Sequence, residues 1–128
     1  MIPEITVLTL AGLLQIVQFA IYSVIARRQV GNRTALGPRD TAIELTGTAG
    51  RAQRAMNNHF EGLILFTIAV VVTTHAGSSA FTAACAWAYL IARVFYVPAY
   101  LFGWVPWRSL IWMVGLVATA LMLLAALV

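Results

Sequence analysis

Four long hydrophobic segments constrain the fold of this chain more than any other feature. We predict helices over about residues 5–26, 50–75, 80–102 and 107–127, and each is near the roughly 20 residues that an α-helix needs to cross a bilayer. The composition agrees, because 62% of the residues are hydrophobic and 9% are charged, whereas a soluble domain carries about 25% charged residues. The sequence therefore predicts one all-α domain over residues 1–128, an integral membrane four-helix bundle with up-down, left-handed topology.

The arginines are concentrated on one side of this predicted topology. Six of the eight basic residues lie between Arg27 and Arg54, around a predicted loop over residues 28–49, and Arg108 flanks the third connection. Because arginine is enriched in cytoplasmic connections, we predict that the loop is cytoplasmic and that both termini lie on the other side of the membrane. The same bias accounts for the net charge of +4 without a nucleic-acid partner.

The predicted loop shows no apolar periodicity, and glycines and prolines divide it into turns. A connection of this length is either a solvated tether that carries topology signals or a functional element. Thr46 or Thr48 is placed to cap the helix that follows. Beyond the third helix, three tryptophans suggest an interfacial belt; these are Trp104, Trp107 and Trp112.

A polar stripe runs down the second predicted helix into its apolar part. At 100° per residue, four side chains fall within about 80° of one another; these are Arg51, Arg54, Asn58 and Glu61. Glu61 lies roughly 10 Å deeper than Arg54, and a charge at hydrocarbon depth costs about 3 kcal/mol unless it faces protein, water or a ligand. Something must therefore meet the Glu61 carboxylate.

The third predicted helix has a polar and aromatic face of its own. Tyr89, Arg93, Tyr96 and Tyr100 come within about 60° of a common direction. Pro98 lies between the last two tyrosines, and we expect it to kink or loosen the helix because it removes a backbone hydrogen bond. The second and third helices thus bring polar groups to the arginine-rich side of the bundle.

Two interpretations of these polar groups remain open. In the structural one, Glu61 pairs with Arg93 or Arg54, and the tyrosines fill gaps between helices. In the functional one, the groups form a pocket for a small zwitterionic or anionic molecule, because guanidinium groups suit carboxylates and a carboxylate suits an ammonium. A short peptide with two carboxylates and one amine fits that set of side chains.

The remaining reactive side chains receive no functional role from the sequence. His59 lies off the polar stripe, and His75 is expected at a helix end beside Gly77. Cys85 is the single cysteine, so an internal disulfide is excluded, and we interpret it as a packing residue. We predict no metal site.

Two motifs carry a family resemblance. Arg54-Ala-x-x-Asn58-x-x-Glu61 is followed by Ala92-Arg93-x-x-Tyr96-x-x-x-Tyr100, with Arg108 near the start of the fourth helix. This pattern resembles the membrane-associated proteins in eicosanoid and glutathione metabolism, the MAPEG family, over roughly residues 5–125. The resemblance implies a homotrimer in membrane lipid that binds glutathione as co-substrate at subunit interfaces near the cytoplasmic side.

Carried over position by position, the resemblance implies that two helices supply most of the glutathione-binding residues; these are Arg51, Arg54, Asn58, Glu61, Arg93, Tyr96 and Tyr100. Arg27 or Arg28 would reach a carboxylate of the tripeptide from a neighbouring subunit. Arg108 would be catalytic, because a cation favours the thiolate form of glutathione. Two departures from the family pattern stand out: Arg108 lies about one position later than expected, and Gly62 replaces a tyrosine that several members carry.

The resemblance implies a glutathione transferase or peroxidase that acts on hydrophobic electrophiles or lipid hydroperoxides. The alternative is a non-catalytic lipid-binding or scaffold protein of the same fold, which the family also contains. The Gly37-Pro38-Arg39-Asp40 segment resembles that of bacterial members, which implies a location in the bacterial cytoplasmic membrane.

Overall fold

A computed structural model describes residues 1–31 and 45–128. The described residues form four helices: α1 (Pro3–Val30), α2 (Gly47–Ala76), α3 (Ala80–Leu101) and α4 (Trp107–Leu127). Each helix is long and apolar enough to cross a membrane, so the chain is a multi-pass, all-α membrane protein. Most of the predicted cytoplasmic loop, including the segment that resembles bacterial members, lies outside the described residues.

Helix α1 is longer than the hydrophobic segment that predicted it. It begins at Pro3, which suits a first helical turn, and it ends at Val30, where Gly31 adopts a φ of 85°. Gln29 in its last turn binds the backbone of Thr46: its amide nitrogen donates to the Thr46 carbonyl oxygen (2.9 Å), and its amide oxygen accepts from the Thr46 N–H (3.0 Å). The Gln29 side chain therefore links the last turn of α1 to the start of α2.

The caps of the helices are only partly as predicted. Thr46 occupies the N-cap position of α2 but makes no capping hydrogen bond with its side chain; its Oγ1 instead accepts from the Gln29 Nε2 at 3.4 Å. A capping box that the sequence analysis did not identify begins α3, where Ser79 and Thr82 exchange side-chain and backbone hydrogen bonds. The helix then continues through Pro98 and ends at Leu101.

The helices pack through small and apolar side chains. Helices α1 and α4 each pack against both α2 and α3, and over the described ranges they do not pack against each other. The rings of Phe66 and Tyr89 stack at 4.0 Å in the core between α2 and α3. Because lipid is as apolar as these side chains, close van der Waals packing rather than water exclusion holds such helices together.

The two ends of the bundle differ in composition. The C-termini of α1 and α3 both lie at the N-terminus of α2. Gln29 of α1 binds Thr46, and the Arg51 Nε donates to the Leu101 carbonyl oxygen of α3 at 2.8 Å. We call this the arginine end, since Arg27, Arg28, Arg51, Arg54 and Arg108 lie there. The opposite end holds the first turn of α1, the Gly77 turn and the C-terminus of α4.

Candidate functional site

A polar pocket of about 200 Å³ opens near the arginine end. Three helices line it, with one residue from α2, two from α3 and three from α4: Asn58, Tyr96, Tyr100, Arg108, Ser109 and Trp112. The two tyrosines are four residues apart and therefore share a helix face, with ring centres 5.5 Å apart. Trp112, which the sequence analysis placed in an interfacial belt, instead forms part of the pocket wall, whereas Trp104 and Trp107 are exposed.

Arg93 lies beside this pocket and is buried, with 3% of its surface exposed. Its two terminal nitrogens each donate to the Asn58 Oδ1 at 3.1 Å, and its Nε donates to the His59 Nδ1 at 3.2 Å. Its guanidinium carbon lies 4.7 Å from the centre of the Tyr96 ring, in cation–π geometry. Every one of these partners is neutral, so the positive charge of Arg93 is solvated but not balanced by them.

His59 is completely buried and bridges two helices. Its Nε2 lies 3.0 Å from the carbonyl oxygen of Ala11 in α1. Because the Nδ1 accepts a hydrogen bond from Arg93, the proton must reside on Nε2, which donates to Ala11. The sequence analysis gave His59 no role, and the structure places it in direct contact with a predicted site residue.

A sequence signal for His59 existed on the other face of α2. Ala52, Ala55, His59 and Phe66 are all buried and recur at spacings of three, four and seven residues, which is the pattern of a helix face that packs against other helices. His59 is the polar member of that series. The polar stripe, on which the site prediction was based, does not include His59.

Tyr100 holds two arginines from different helices at the rim of the pocket. The Nε of Arg54 donates to the Tyr100 hydroxyl oxygen at 3.1 Å. The guanidinium carbon of Arg108 lies 4.9 Å from the centre of the same ring. A third arginine, Arg51, binds the carbonyl oxygen of Leu101, which places a cation at the negative C-terminal end of α3.

Glu61 does not form the ion pair that the structural interpretation expected. Arg93 binds Asn58 and His59, and Arg54 binds Tyr100, while Glu61 is exposed and makes no side-chain hydrogen bond within the described part of the chain. The physical reason is rotational, because Glu61 lies roughly 140° around α2 from the centre of its buried face. Among the described residues, the pocket is therefore lined by one cation, Arg108, and by no carboxylate.

Arg27 and Arg28 lie at the arginine end but outside this pocket. Both are exposed in the last turn of α1. Neither makes a side-chain hydrogen bond to another residue of the described ranges. Of the predicted site residues, the structure thus brings together Arg54, Asn58, Arg93, Tyr96, Tyr100 and Arg108, and it leaves Glu61, Arg27 and Arg28 on the surface.

Two apolar grooves run along the surface between α3 and α4. The first has a volume of about 580 Å³ and includes Cys85 and Met113, and the second has about 520 Å³ and includes Phe95 and Trp104. They share Ala88 and Val114, so they adjoin each other, and we call the two together the apolar track. The track extends to Trp104, close to the arginine end.

A second buried charge occupies the opposite end, and the sequence analysis did not predict it. Glu4 in the first turn of α1 has no exposed surface. Its two carboxylate oxygens accept from the Ser78 hydroxyl at 2.7 and 2.9 Å, and one of them also accepts from the Thr82 hydroxyl at 2.7 Å. We call these three residues the Glu4 cluster.

Comparison with known proteins identifies a family that the sequence matches. No curated protein matches the chain. The model of the MAPEG family matches residues 5–128, nearly the whole chain. This range includes both motifs on which the resemblance was based and all four helices except the first two residues of α1. The family prediction made from those motifs is confirmed: the chain belongs to the MAPEG family.

Proposed function

We propose that this protein binds glutathione within the membrane and acts as a glutathione transferase or peroxidase on hydrophobic electrophiles or lipid hydroperoxides. The observation that carries the proposal is the buried Arg93 guanidinium, whose partners in the described ranges are all neutral. A cation at such depth costs about 2.5–3.5 kcal/mol on insertion scales, and an anionic ligand in the adjoining pocket would offset that cost. Membership of a family with glutathione-related functions supports the choice of ligand.

Glutathione has the groups that the site would recognise. Its two carboxylates suit the guanidinium groups around the pocket, and its ammonium suits the exposed carboxylate of Glu61. The pocket of about 200 Å³ is smaller than the roughly 300–1,000 Å³ of typical small-molecule sites. In the proposal, the remainder of the ligand extends along the outer edge of α2 on both sides of Asn58, towards Arg54 and Arg51 in one direction and towards Glu61 in the other.

An incomplete pocket in one chain supports a homotrimer in which subunits complete one another's sites. Arg27 or Arg28 at the end of α1 would then reach the ligand from a neighbouring subunit. The exposed Glu61 would be covered by ligand and by that subunit rather than by lipid. We further propose left-handed packing of the helices, and that the arginine end faces the cytoplasm of a bacterial cell, with both termini on the other side.

Arg108 is the proposed catalytic residue. It lines the pocket at the start of α4, with its guanidinium over the Tyr100 ring. The backbone N–H groups of Arg108 and Ser109 already donate to the carbonyl oxygens of Trp104 and Pro106, so the charge that stabilises an anion here comes from the side chain. A cation close to the sulfur favours the glutathione thiolate over the thiol.

The thiolate would then react with a substrate that enters from the bilayer. In the transferase reaction, sulfur forms a bond to an electrophilic carbon, and the leaving group departs with the bonding electron pair. In the peroxidase reaction, sulfur attacks the terminal oxygen of a hydroperoxide; the O–O bond breaks and the resulting alkoxide takes up a proton. A second glutathione reduces the sulfenic acid to the disulfide and water. The apolar track between α3 and α4 supports a hydrocarbon substrate.

Calorimetric titration of glutathione, S-hexylglutathione and oxidised glutathione into the detergent-purified protein tests the ligand. We expect saturable binding to the wild type and a clear loss of affinity in Glu61→Gln. Absence of binding at millimolar ligand would refute the glutathione proposal. For catalysis, Arg108→Ala should retain S-hexylglutathione binding but lose the ultraviolet absorbance of the bound thiolate; retention of that absorbance would exclude Arg108 as its stabiliser.

The apolar track also favours a second candidate, a non-catalytic lipid-binding or scaffold protein. Its combined volume exceeds that of the polar pocket several-fold, and Arg54 and Arg93 already have hydrogen-bond partners within the chain. Under this alternative, mass spectrometry would detect retained lipid, glutathione would not bind, and no electrophile or hydroperoxide would be consumed. Turnover with glutathione would exclude it.

A further inference from the structure

We propose that His59 is a positioning residue for Arg93, which ties the guanidinium to the backbone of α1 and fixes the direction of its remaining N–H groups. The inference adds a residue to the proposed glutathione site, and its ligand-binding test rests on that proposed function. A second test, on the ligand-free protein, does not. His59 itself lies behind Arg93, on the buried face of α2, and is not among the residues that line the pocket.

A continuous chain of hydrogen bonds joins three helices through His59. The Ala11 carbonyl oxygen of α1 accepts from the His59 Nε2 at 3.0 Å, and the His59 Nδ1 of α2 accepts from the Arg93 Nε of α3 at 3.2 Å. Ala11, His59 and Arg93 are all buried. An imidazole ring that is bound at both nitrogens has one tautomer and one orientation, so the ring is a rigid link between α1 and the guanidinium.

Arg93 needs such a link because its other contacts leave one rotation undetermined. The Tyr96 ring contacts the guanidinium, with its centre 4.7 Å from the guanidinium carbon, but accepts no directional N–H bond from it. Both terminal nitrogens bind the same atom, the Asn58 Oδ1, and a group held at a single acceptor can pivot about it. The bond from the Arg93 Nε to His59 removes that pivot. Of the five N–H groups of an arginine, two then make no hydrogen bond within the described part of the chain, and in the proposal these two are offered to the ligand.

The chemical type of His59 also matters, because it orients Arg93 without neutralising it. A carboxylate at this position would form an ion pair with the guanidinium and compete with an anionic ligand. The neutral imidazole accepts the Nε hydrogen bond and leaves the charge available. His59 therefore fixes the orientation of the Arg93 guanidinium without cancelling its positive charge.

Matched variants separate positioning from simple packing. His59→Leu removes both hydrogen bonds. His59→Asn keeps a neutral oxygen near the position of Nδ1, but the side chain is too short to reach Ala11. Val70→Ala is the control, since Val70 is equally buried on α2 but lies about 16 Å further along the helix. Its loss of methyl groups lowers stability without touching Arg93.

Titration of glutathione into these variants is the first test. We expect His59→Leu to weaken binding about tenfold or more, as the loss of a hydrogen bond to a charged group does, and His59→Asn to recover most of the affinity. Val70→Ala should bind like the wild type at a temperature where it is folded. Wild-type affinity in His59→Leu, or an equal loss in Val70→Ala, would overturn the proposal.

Nitrogen-15 NMR of the ligand-free protein in detergent is the second test. We expect a proton on the His59 Nε2 only, and slow solvent exchange of the Arg93 Nε–H. This exchange should accelerate about tenfold or more in His59→Leu and slow again in His59→Asn. If the wild type fails to bind glutathione, the proposed function fails while this measurement still decides the role of His59. Unchanged exchange of the Arg93 Nε–H in His59→Leu would overturn that role.

Discussion

In the described part of the chain, the two ends of the bundle each bury one charged side chain among neutral hydrogen-bond partners, yet they do so in different settings. At the opposite end, hydroxyl groups bind both oxygens of Glu4, beside the N-terminus of α3, whose dipole favours a negative charge. Near the arginine end, Arg93 lies roughly 12 Å inside the C-terminus of α3, beside an open pocket with Arg108 at its wall. The buried charge of Arg93 beside a cavity supports the proposed ligand site, whereas the Glu4 cluster, with no polar pocket described beside it, is interpreted as a structural contact between α1 and α3.

The largest expected effect is the loss of ligand binding in Arg93→Met. This variant removes the buried cation and its contacts with Asn58 and His59, and charge-assisted hydrogen bonds contribute about 1.5–3 kcal/mol each. We expect glutathione affinity to fall about 100-fold, which corresponds to about 2.7 kcal/mol. Arg93→Lys should be intermediate, because an ammonium lacks the planar fork. Affinity in Arg93→Met within threefold of the wild type would contradict the distinction between the two ends.

Glu4→Ala tests the other side of the comparison. Its hydroxyl partners Ser78 and Thr82 would lose their acceptor, and we expect the free energy of unfolding to fall by about 2 kcal/mol. The midpoint of denaturation in sodium dodecyl sulfate, followed by circular dichroism, measures this change. Glutathione affinity of the folded variant should equal that of the wild type, since the cluster lies at the far end of the bundle. A tenfold loss of affinity would show that the Glu4 cluster belongs to the site.

Asn58→Asp tests whether the unbalanced charge of Arg93 at the arginine end is what attracts the ligand. The new carboxylate would pair with the Arg93 guanidinium, which now binds the Asn58 Oδ1, and would balance its charge within the chain. We expect stability to be maintained and glutathione affinity to fall about tenfold, about 1.4 kcal/mol. Asn58→Leu is the comparison, because it removes the acceptor without adding charge. Tighter glutathione binding in Asn58→Asp would refute the idea that an unbalanced cation attracts the ligand.

The smallest expected effect is at the rim of the pocket. Tyr100→Phe removes the hydroxyl group that accepts from the Arg54 Nε but keeps the ring beneath Arg108. Because a single hydrogen bond at a half-exposed position contributes about 0.5–1.5 kcal/mol, glutathione affinity should fall only a few-fold. The thiolate absorbance should persist, since the contact with Arg108 remains. Loss of that absorbance would assign the hydroxyl group, rather than the cation, to thiolate stabilisation.

The helices were predictable from sequence within a few residues, and the errors have local causes. Length and hydropathy predict a membrane span, but they do not predict that a polar side chain extends the helix beyond that span. Gln29 has that effect, because its two bonds to Thr46 keep the last turn of α1 in place. Helix α3 continues past Pro98 to Leu101, within one residue of its predicted end, and a kink at Pro98 stays a prediction.

The sequence predicted which polar side chains share a helix face but not which groups they contact, and their role in a binding site stays a prediction. Periodicity correctly put Asn58 and Arg54 on one stripe of α2, and Tyr96 and Tyr100 on one face of α3. It could not foresee that Arg93 binds His59 rather than Glu61, because periodicity defines the faces of a helix without stating which neighbour each face meets. Such pairing depends on how each helix is rotated about its axis in the bundle.

The sequence by itself determined four membrane spans, the concentration of arginines near one end, and the two motifs by which the chain belongs to its family. These features follow from composition and spacing along the chain, which require no partner helix. Only the tertiary structure decided which charges are buried and what they bind. Glu4 and Ser78 are 74 residues apart, and Ala11 and His59 are 48 apart, so their hydrogen bonds exist only because packing of small residues brings the helices together in one register.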